Sequence, residues 1–322
     1  MLKKIDWERQ IGRRLKLRDL HVFSTVVQRG NMGKAAAELG VSQPTISEVI
    51  ADLEHALGVR LFDRSRRGVE PTIYGTALLR RVKAAFDELR QGVRDIEFLT
   101  DFTAGEVRIG CPESLATTLV SPIVQRFTRQ YPRVVVNMIL LNTPTLDLPQ
   151  LHDRTLDLVV ARSPILATDD PAYRDLQMEC LFDDGLVVAA GVRSRLKHRG
   201  KADLADLIDE PWILTPPGAA IYNHMMQVFR QRRLTPPFVA FGTQSFGFRG
   251  DLLETGNYIA PIPRSIFNEY AKRFPLKLLL VDLPVRPWSI ALITLKNRTV
   301  SPVVERFIDS ARSAVKAMAR GK

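Results

Sequence analysis

From Leu17 the apolar positions fall at helical spacing, with Leu17, Leu20, Phe23 and Val26/Val27 on one face and Gly30 as a stop. A second short helix is expected after Asn31, whose side chain can cap it; Ala35, Ala36 and Leu39 face inward and Gly40 ends it. A third opens at Ser42, tolerates Pro44 in its first turn, and buries Ile46, Val49/Ile50, Leu53 and Leu57 before Gly58. Between Val59 and Gly75 the helical period stops. Arg60–Arg64 alternates like a strand, Ser65–Gly68 reads as a turn and Val69–Ile73 returns, so a small hairpin is expected beside the three helices. From Tyr74 to Leu99 the period resumes through Leu78, Val82, Phe86, Leu89, Val93 and Ile96, averaging the three and a half residues of a coiled coil. One reading lays this helix on its own domain. The other gives it a partner helix in a dimer, and is preferred because Arg80, Arg81, Asp87, Glu88, Arg94 and Asp95 cover the remaining surface.

After Asp101–Gly105 the pattern changes to strands separated by helices, the signature of parallel βαβ units. Strands are expected at Val107–Gly110, Val134–Leu141 and Leu156–Ala161, with helices at Glu113–Gln130 and Thr145–His152. Later strands are read at Leu186–Ala190, Trp212–Leu214, Val239–Phe241, Tyr258–Ile262, Leu276–Leu280 and Ile290–Leu295, with a closing amphipathic helix at Pro302–Ala319. The fold class is therefore multidomain, α+β followed by α/β: a winged helix-turn-helix at 16–75, a linker helix at 76–100 and an α/β region from 105 to 322. Residues 1–15 form a polar, basic extension.

A chain of 322 residues with 45% hydrophobic and 25% charged positions has the balance of a globular protein in two or three domains. It lacks an apolar run long enough for a membrane span, and Lys3 and Lys4 have no apolar stretch behind them, so a cytoplasmic location is expected and no membrane partner. The net charge of +11 invites a nucleic-acid reading, yet residues 1–100 hold 18 Lys/Arg against 13 Asp/Glu and the rest of the surplus is spread over the remainder. Charge alone thus does not locate a site. Cys111 and Cys180 are far apart, and the five histidines have no ligand-like spacing, so neither a metal nor another cofactor is expected.

Local arrangement is more informative. If the second and third helices cross at the small Ala35 and Ala36, the third exposes Gln43, Pro44, Thr45, Ser47 and Glu48 at its N-terminal end, behind Ser42. Small polar groups there suit the major groove, the helix N-terminus favours phosphate, and Gln43 can bridge adenine N6 and N7. Arg64, Arg66 and Arg67, beside Arg60 and Gly68, place positive charge on the hairpin, and Lys34 can reach another phosphate. The competing reading is an ordinary solvated helix face. Helix, hairpin and dimer seam together favour duplex DNA.

The run AAAELGVSQPTISEVIADLEHALGVRLFDRSRRGVEPTIYG, Ala35–Gly75, closely resembles the N-terminal domain of LysR-type transcriptional regulators. The family's pattern of paired alanines, S/T-Q-P, L-E, L-G, L-F and Arg is met at nearly every fixed position. The resemblance, which extends over almost the whole chain, implies that Ser42, Gln43, Pro44, Thr45 and Ser47 lie on the recognition helix and Arg64, Arg66 and Arg67 on the wing. It also implies a dimerising linker helix. Glu48 stands where a basic or neutral residue is common, and Pro71 and Tyr74 replace the usual wing ending. For residues from 105 onward the resemblance implies a periplasmic-binding-protein-like effector domain of two α/β subdomains, I at about 105–180 and 281–322 and II at about 181–280.

Ligands in open α/β sheets sit beyond the carboxyl ends of parallel strands. That rule selects Pro112, Glu113 and Ser114, then Asn142 and Thr143, then Arg162 and Ser163, and from the other subdomain Thr215, Gly218, Gln244, Ser245 and Phe246. Ser114 is either an effector contact, as the resemblance suggests, or a plain helix cap. Arg162 either pairs an anionic effector or bridges to an acid such as Asp157. The expected function is a transcriptional regulator, not an enzyme: a homodimer or homotetramer reading an imperfect inverted repeat, modulated by a small-molecule effector, with an anionic metabolite as the candidate class, and in contact with RNA polymerase. An enzyme or solute-binding protein on the α/β half would need a nucleophile–base set or a leader; Glu113 beside Cys111 is the nearest approach to a reactive pair. A DNA-compacting protein without an effector would show no ligand-induced stabilisation.

Overall fold

In the computed structural model, which describes residues 15–65, 68–101, 103–141, 148–163, 173–198, 201–283 and 288–320, the first three helices start and stop on the residues that their sequence chemistry selects. They are α1 (Leu17–Arg29), α2 (Met32–Leu39) and α3 (Gln43–Leu57). Gly30, Gly40 and Gly58 follow them in the left-handed conformation, with φ of 61°, 65° and 68°, where a side chain would be strained. Asn31 Oδ1 accepts the Lys34 N–H at 3.1 Å, and Ser42 Oγ accepts the Thr45 N–H at 3.3 Å. Phe23, Val26, Ala35, Ile46, Ile50 and Leu53 meet in a core from which water is excluded.

The hairpin is β1 (Phe62–Ser65) paired antiparallel with β2 (Gly68–Pro71). It is bolted to the helices at two points. The Val69 N–H donates to the Gly30 carbonyl at 3.0 Å, and Glu54 Oε1 on α3 accepts the N–H groups of Leu61 (2.7 Å) and Phe62 (3.2 Å). Helix α4 (Ile73–Thr100) follows, its first turn held by Thr72, whose hydroxyl accepts the Gly75 N–H at 3.1 Å and donates to the Arg60 carbonyl at 2.8 Å. The seam expected along α4 divides in two. Val82 is buried in this unit's own core, with Leu78 and Phe86 half-buried against it. Leu89, Val93, Ile96 and Leu99 are 50–66% exposed. The reading that lays α4 on its own domain thus holds for its first half, and its second half is left apolar and exposed.

The chain separates into two compact units, Met1–Val93 and Arg94–Lys322, each described by itself. The second contains two sheets. The first comprises β3 (Ala104–Cys111), β4 (Arg133–Leu140), β5 (Leu158–Ser163), β6 (Leu176–Asp184) and β13 (Trp288–Leu295), in the order β4-β3-β5-β13-β6. Between β3 and β4 lies α5 (Ser121–Gln130). The second sheet has the order β10-β9-β11-β7-β12-β8, from β7 (Leu186–Gly191), β8 (Lys201–Ala202), β9 (Trp212–Leu214), β10 (Val239–Gly242), β11 (Ile259–Pro263) and β12 (Leu276–Val281). Helices α6 (Ala220–Gln231), α7 (Phe246–Glu254) and α8 (Arg264–Arg273) join its strands, and α9 (Pro302–Arg320) packs Val303, Phe307 and Ala311 onto the first sheet. The chain leaves the first sheet at Gly185 and returns to it between Val281 and Trp288.

The expected parallel pairs are present, β3 with β4 and β5, and β9 with β10 and β11. Strands β6 and β8 have no counterpart in the sequence reading, and two further features depart from it. Strands β7 and β13 run antiparallel to their neighbours β11, β12 and β5, β6, making both sheets mixed. The helix expected at Glu113–Gln130 is interrupted by a π segment, Ala116–Val120. Pro122 accounts for this: in a regular helix its ring meets the carbonyl four residues back, and a widened turn removes the clash. The short helix expected at Thr145–His152 is observed at Pro149–His152, and residues 142–147 and the extension 1–14 lie outside the described set.

Gly75 enters α4 so close to the wing that a Cβ there would lie 2.2 Å from the Leu61 carbonyl oxygen, a backbone atom. Gly75→Ala is therefore expected to destabilise the N-terminal unit by about 1–3 kcal/mol, as overpacking typically does. Urea unfolding followed by circular dichroism measures it; an unchanged midpoint would contradict the contact.

Candidate functional site

Two regions gather the residues that the sequence singles out. The first is the N-terminal end of α3. Ser42, Gln43, Pro44 and Glu48 are exposed there, Lys34 is exposed on α2, and Arg64 is exposed on β1. Thr45 is half-buried with its hydroxyl 2.8 Å from that of Ser42. Ser47 is turned inward as well, its hydroxyl 3.5 Å from Met32 Sδ, so it meets α2 as much as solvent. Arg66 and Arg67 lie outside the described residues. Sequence reasoning passed over Glu54. Besides fixing the hairpin it lies 4.0 Å from the Arg64 guanidinium, so it sets both the position and part of the charge balance of the wing. Its signals were an acid directly after the buried Leu53 and its place as the Glu of the L-E pair in the family pattern.

The second region is a cavity of about 400 Å³ in the second unit. Pro112, Glu113 and Ser114 reach it from the end of β3, Arg162 from β5, Thr215 from β9, and Gln244, Ser245 and Phe246 from the turn after β10. These eight candidates come together because each follows or ends a parallel strand. Gly218 is not on the wall; it sits in an exposed turn where its carbonyl accepts Asn223 Nδ2–H at 3.1 Å. Asn142 and Thr143 lie outside the described residues, as does the side chain of Ser163. Leu140, Leu141, Ala219, Ala220, Ile221, Arg249, Ile266 and Trp288 complete the wall and were not selected from the sequence. Arg249 had a signal: it shares the buried stripe Phe246, Gly250 and Leu253 of α7, where a charged side chain is out of place.

The polar groups of this cavity are unequally satisfied. Glu113 Oε2 accepts the Phe246 N–H at 3.0 Å, and Thr215 Oγ1 accepts the Tyr222 N–H at 3.0 Å. Asp184 accepts from both the N–H (3.0 Å) and hydroxyl (2.6 Å) of Ser265. The two guanidinium groups are less well supplied. Arg162 Nη1 donates to Ser114 Oγ at 3.1 Å and its Nη2 lies 3.9 Å from Asp184, while its Nε and Nη2 make no hydrogen bond among the described residues. Arg249 is 6% exposed; its Nη2 donates to the Thr243 carbonyl at 2.9 Å and its Nε has no partner there. Burial pulls Arg162 down to about 10, with Asp184 opposing the fall and Arg249 adding to it. Burial lowers Arg249 too, against the opposing influence of Tyr270 and Glu113. Each buried donor left unmade costs about 1–3 kcal/mol, so the cavity gains when an acceptor enters.

Geometry excludes the helix-cap reading of Ser114 and the particular acid named for Arg162. Ser114 is not a helix cap: Pro112 occupies that position, and the Ser114 hydroxyl faces Arg162. Arg162 does not bridge to Asp157, which is taken by Arg108 and Arg298; its acid neighbour is Asp184. Trp288 forms the apolar end, with His224 against its ring at 4.7 Å between centroids. Among the described residues there is no group of three or more His, Cys, Asp or Glu able to hold a metal, and no helix long and apolar enough to cross a membrane.

Cys111 ends β3 next to Glu113 but is fully buried, with Sγ 3.7 Å from Met138 Sδ, and burial pushes its thiol up to about 12. It is a packing residue, whereas Cys180 is exposed. Thiol titration of the native protein at pH 8 is expected to show one fast-reacting group, lost in Cys180→Ser; rapid modification of Cys111 would contradict the packing role.

Comparison with known proteins yields two family-model matches. Residues 17–76 match the model described as "Bacterial regulatory helix-turn-helix protein, lysR family", and residues 101–316 that described as "LysR substrate binding domain". The chain is 31% identical over 303 residues to the HTH-type transcriptional regulator GbpR of Azospirillum brasilense, covering 94% of this chain and 87% of that protein. It is 26% identical to the transcriptional dual regulator GltC of Bacillus subtilis (strain 168), covering 92% and 96% of the two chains. Among solved structures it resembles full-length CbnR complexed with its target DNA, at 21% identity and a TM-score of 0.62, over 93% of this chain and all of that one.

Proposed function

The chain belongs to the LysR family of DNA-binding transcriptional regulators, a helix-turn-helix joined to an effector-binding domain, and on that premise we propose how it reads DNA and what it senses. Two copies joined along the exposed stretch of α4 at Leu89, Val93, Ile96 and Leu99 place two copies of α3 on an imperfect inverted repeat, the symmetry of the protein being mirrored in the operator. Pairing of two such dimers makes a tetramer. Gln43, Pro44, Thr45 and Ser47 meet base edges, and Glu48 accepts from cytosine N4 or excludes a phosphate. Lys34, Arg64, Arg66 and Arg67 hold backbone phosphates. The observation that carries this reading is the exposed, polar N-terminal end of α3, with Arg64 exposed on the hairpin that Glu54 of the same helix holds in place. The protein acts in the cytoplasm and passes its signal to RNA polymerase by direct contact.

The effector is a small organic anion with an apolar body, bound in the cavity between the two sheets. Arg162 and Arg249 supply donors in search of an acceptor, and Trp288, Ile221 and Leu141 supply apolar walls. Its binding shifts the population between two arrangements of the domain, and thereby the way dimers sit on DNA.

Two measurements test these assignments. Titration of labelled promoter duplex is expected to show affinity falling steeply with salt. Arg64→Ala weakens all sequences and flattens the salt slope by about one unit, whereas Gln43→Ala relaxes base preference at a cost of about 1–3 kcal/mol on the cognate site. Equal effects of both substitutions on cognate and random duplex would remove the assignment. For the cavity, benzoate serves as probe: it is expected to change tryptophan emission in the wild type, and the change is lost in Trp288→Phe. A response that survives in that variant places the probe elsewhere.

A further inference from the structure

The carboxylate of Glu113 has an unusual position. It comes from the end of β3, in the first sheet's half of the domain, and accepts the N–H of Phe246, the first residue of α7, at 3.0 Å. Helix α7 spans nine residues, and the adjoining cap is used internally, Ser245 Oγ accepting the Phe248 N–H at 3.4 Å. One turn along the same helix Arg249, 94% buried by its 6% exposure, keeps its Nε–H without an acceptor among the described residues. The first residue of α7 is also clamped from behind, the Phe246 carbonyl accepting the Tyr270 hydroxyl. A helix N-terminal N–H already held by a carboxylate, beside an under-satisfied guanidinium, is the arrangement that binds carboxylates.

We infer that the first turn of α7 and Arg249 form a carboxylate subsite, and that in this conformation Glu113 fills it as an internal competitor for the effector's own carboxylate. The idea rests on the reading of the cavity as the effector site and adds a requirement to it. A tethered carboxylate acts at high effective concentration, so a bare carboxylate loses to it. A ligand wins only by adding apolar contacts, with Trp288, Ile221 and Leu141, and an interaction with Arg162. Entry of such a ligand exchanges one carboxylate for another at the Phe246 N–H. Glu113 is released, and the hydrogen bond that ties β3's end to α7 is cut. Selectivity for larger carboxylates and the conformational response then have one cause.

The test uses the full-length protein and sodium acetate, against sodium chloride at matched ionic strength, with the thermal midpoint as readout. Glu113→Ala is expected to show saturable stabilisation by acetate that the wild type lacks. Glu113→Gln leaves only a weak neutral acceptor that a carboxylate displaces from the Phe246 N–H, and is expected to bind benzoate on the order of tenfold more tightly than the wild type, in which the site is occupied about nine-tenths of the time. This second variant decides the question if the alanine form does not fold. Equal responses of wild type and both variants to acetate and benzoate overturn the inference and leave the effector reading standing. Acetate stabilisation of Glu113→Ala, with no carboxylate altering promoter affinity in any variant, supports the internal competitor and overturns the effector reading instead.

Discussion

Asp157 is 4% exposed, and a carboxylate so deeply placed has to be neutralised where it stands or it destabilises everything around it. Its oxygens accept the Arg108 N–H at 2.9 Å, the Arg108 guanidinium at 2.7 and 3.2 Å and the Arg298 guanidinium at 3.1 Å, and Arg94 lies 3.9 Å away. Arg298 in turn donates to the Leu156 carbonyl at 2.6 Å, and Arg94 to Glu106 at 2.9 Å. These partners come from the last turns of α4, from β3 and from the segment after β13. Asp157 itself immediately precedes β5. One carboxylate thus fixes the entry of the chain into the second unit, two neighbouring strands and the returning segment. Removing one member leaves an unpaired buried charge, a far larger penalty than an exposed ion pair of the same geometry would carry.

The cavity lies at the opposite ends of the same strands. Strand β3 begins near Arg94's partner Glu106 and ends at Cys111, where Glu113 and Ser114 follow; β5 begins after Asp157 and ends beyond Arg162. Rigidity at one end and unsatisfied donors at the other is a sensible division. A site whose guanidinium groups were already fully paired would gain little from a ligand, while one on loosely held strands would lose the gain to ordering. The mixed sheets serve this division. Antiparallel β13 lies between β5 and β6 and begins with Trp288, so the returning strand contributes a wall of the cavity while closing the first sheet.

Local chemistry was legible in the sequence wherever a short segment decides its own conformation. The caps Asn31 and Ser42, the stops Gly30, Gly40 and Gly58, and the parallel strands β3, β4 and β5 follow from neighbouring residues. Pairings between distant segments were not. Arg162 precedes an unmarked stretch and has Asp157 five residues before it, so sequence proximity favoured that acid; but residues five apart on a strand point to opposite faces, and Asp184, across β13, is the one within reach. Strand β6 carries Glu179, Asp183 and Asp184 among its residues, so it lacked the apolar alternation that reveals a half-buried strand, and its partner β13 supplies most of what holds it.

The cavity residues show the same division between local and non-local information. Following the ends of parallel strands finds residues that line a cavity by topology, and it found Glu113, Ser114, Arg162, Thr215 and the 244–246 turn. It says nothing about which of them are already spoken for. Whether a polar group is available depends on what it meets from another part of the chain: Thr215 is used by Tyr222, and Glu113 by Phe246 some 133 residues away. Among the described residues of the cavity, the buried guanidinium groups of Arg162 and Arg249 remain under-supplied, and Arg249 is on a helix face that topology does not single out. The anion recognition proposed for this cavity rests on unmet hydrogen-bonding capacity, which is a difference between what residues offer and what their neighbours take. A sequence states the offer; the fold determines the remainder.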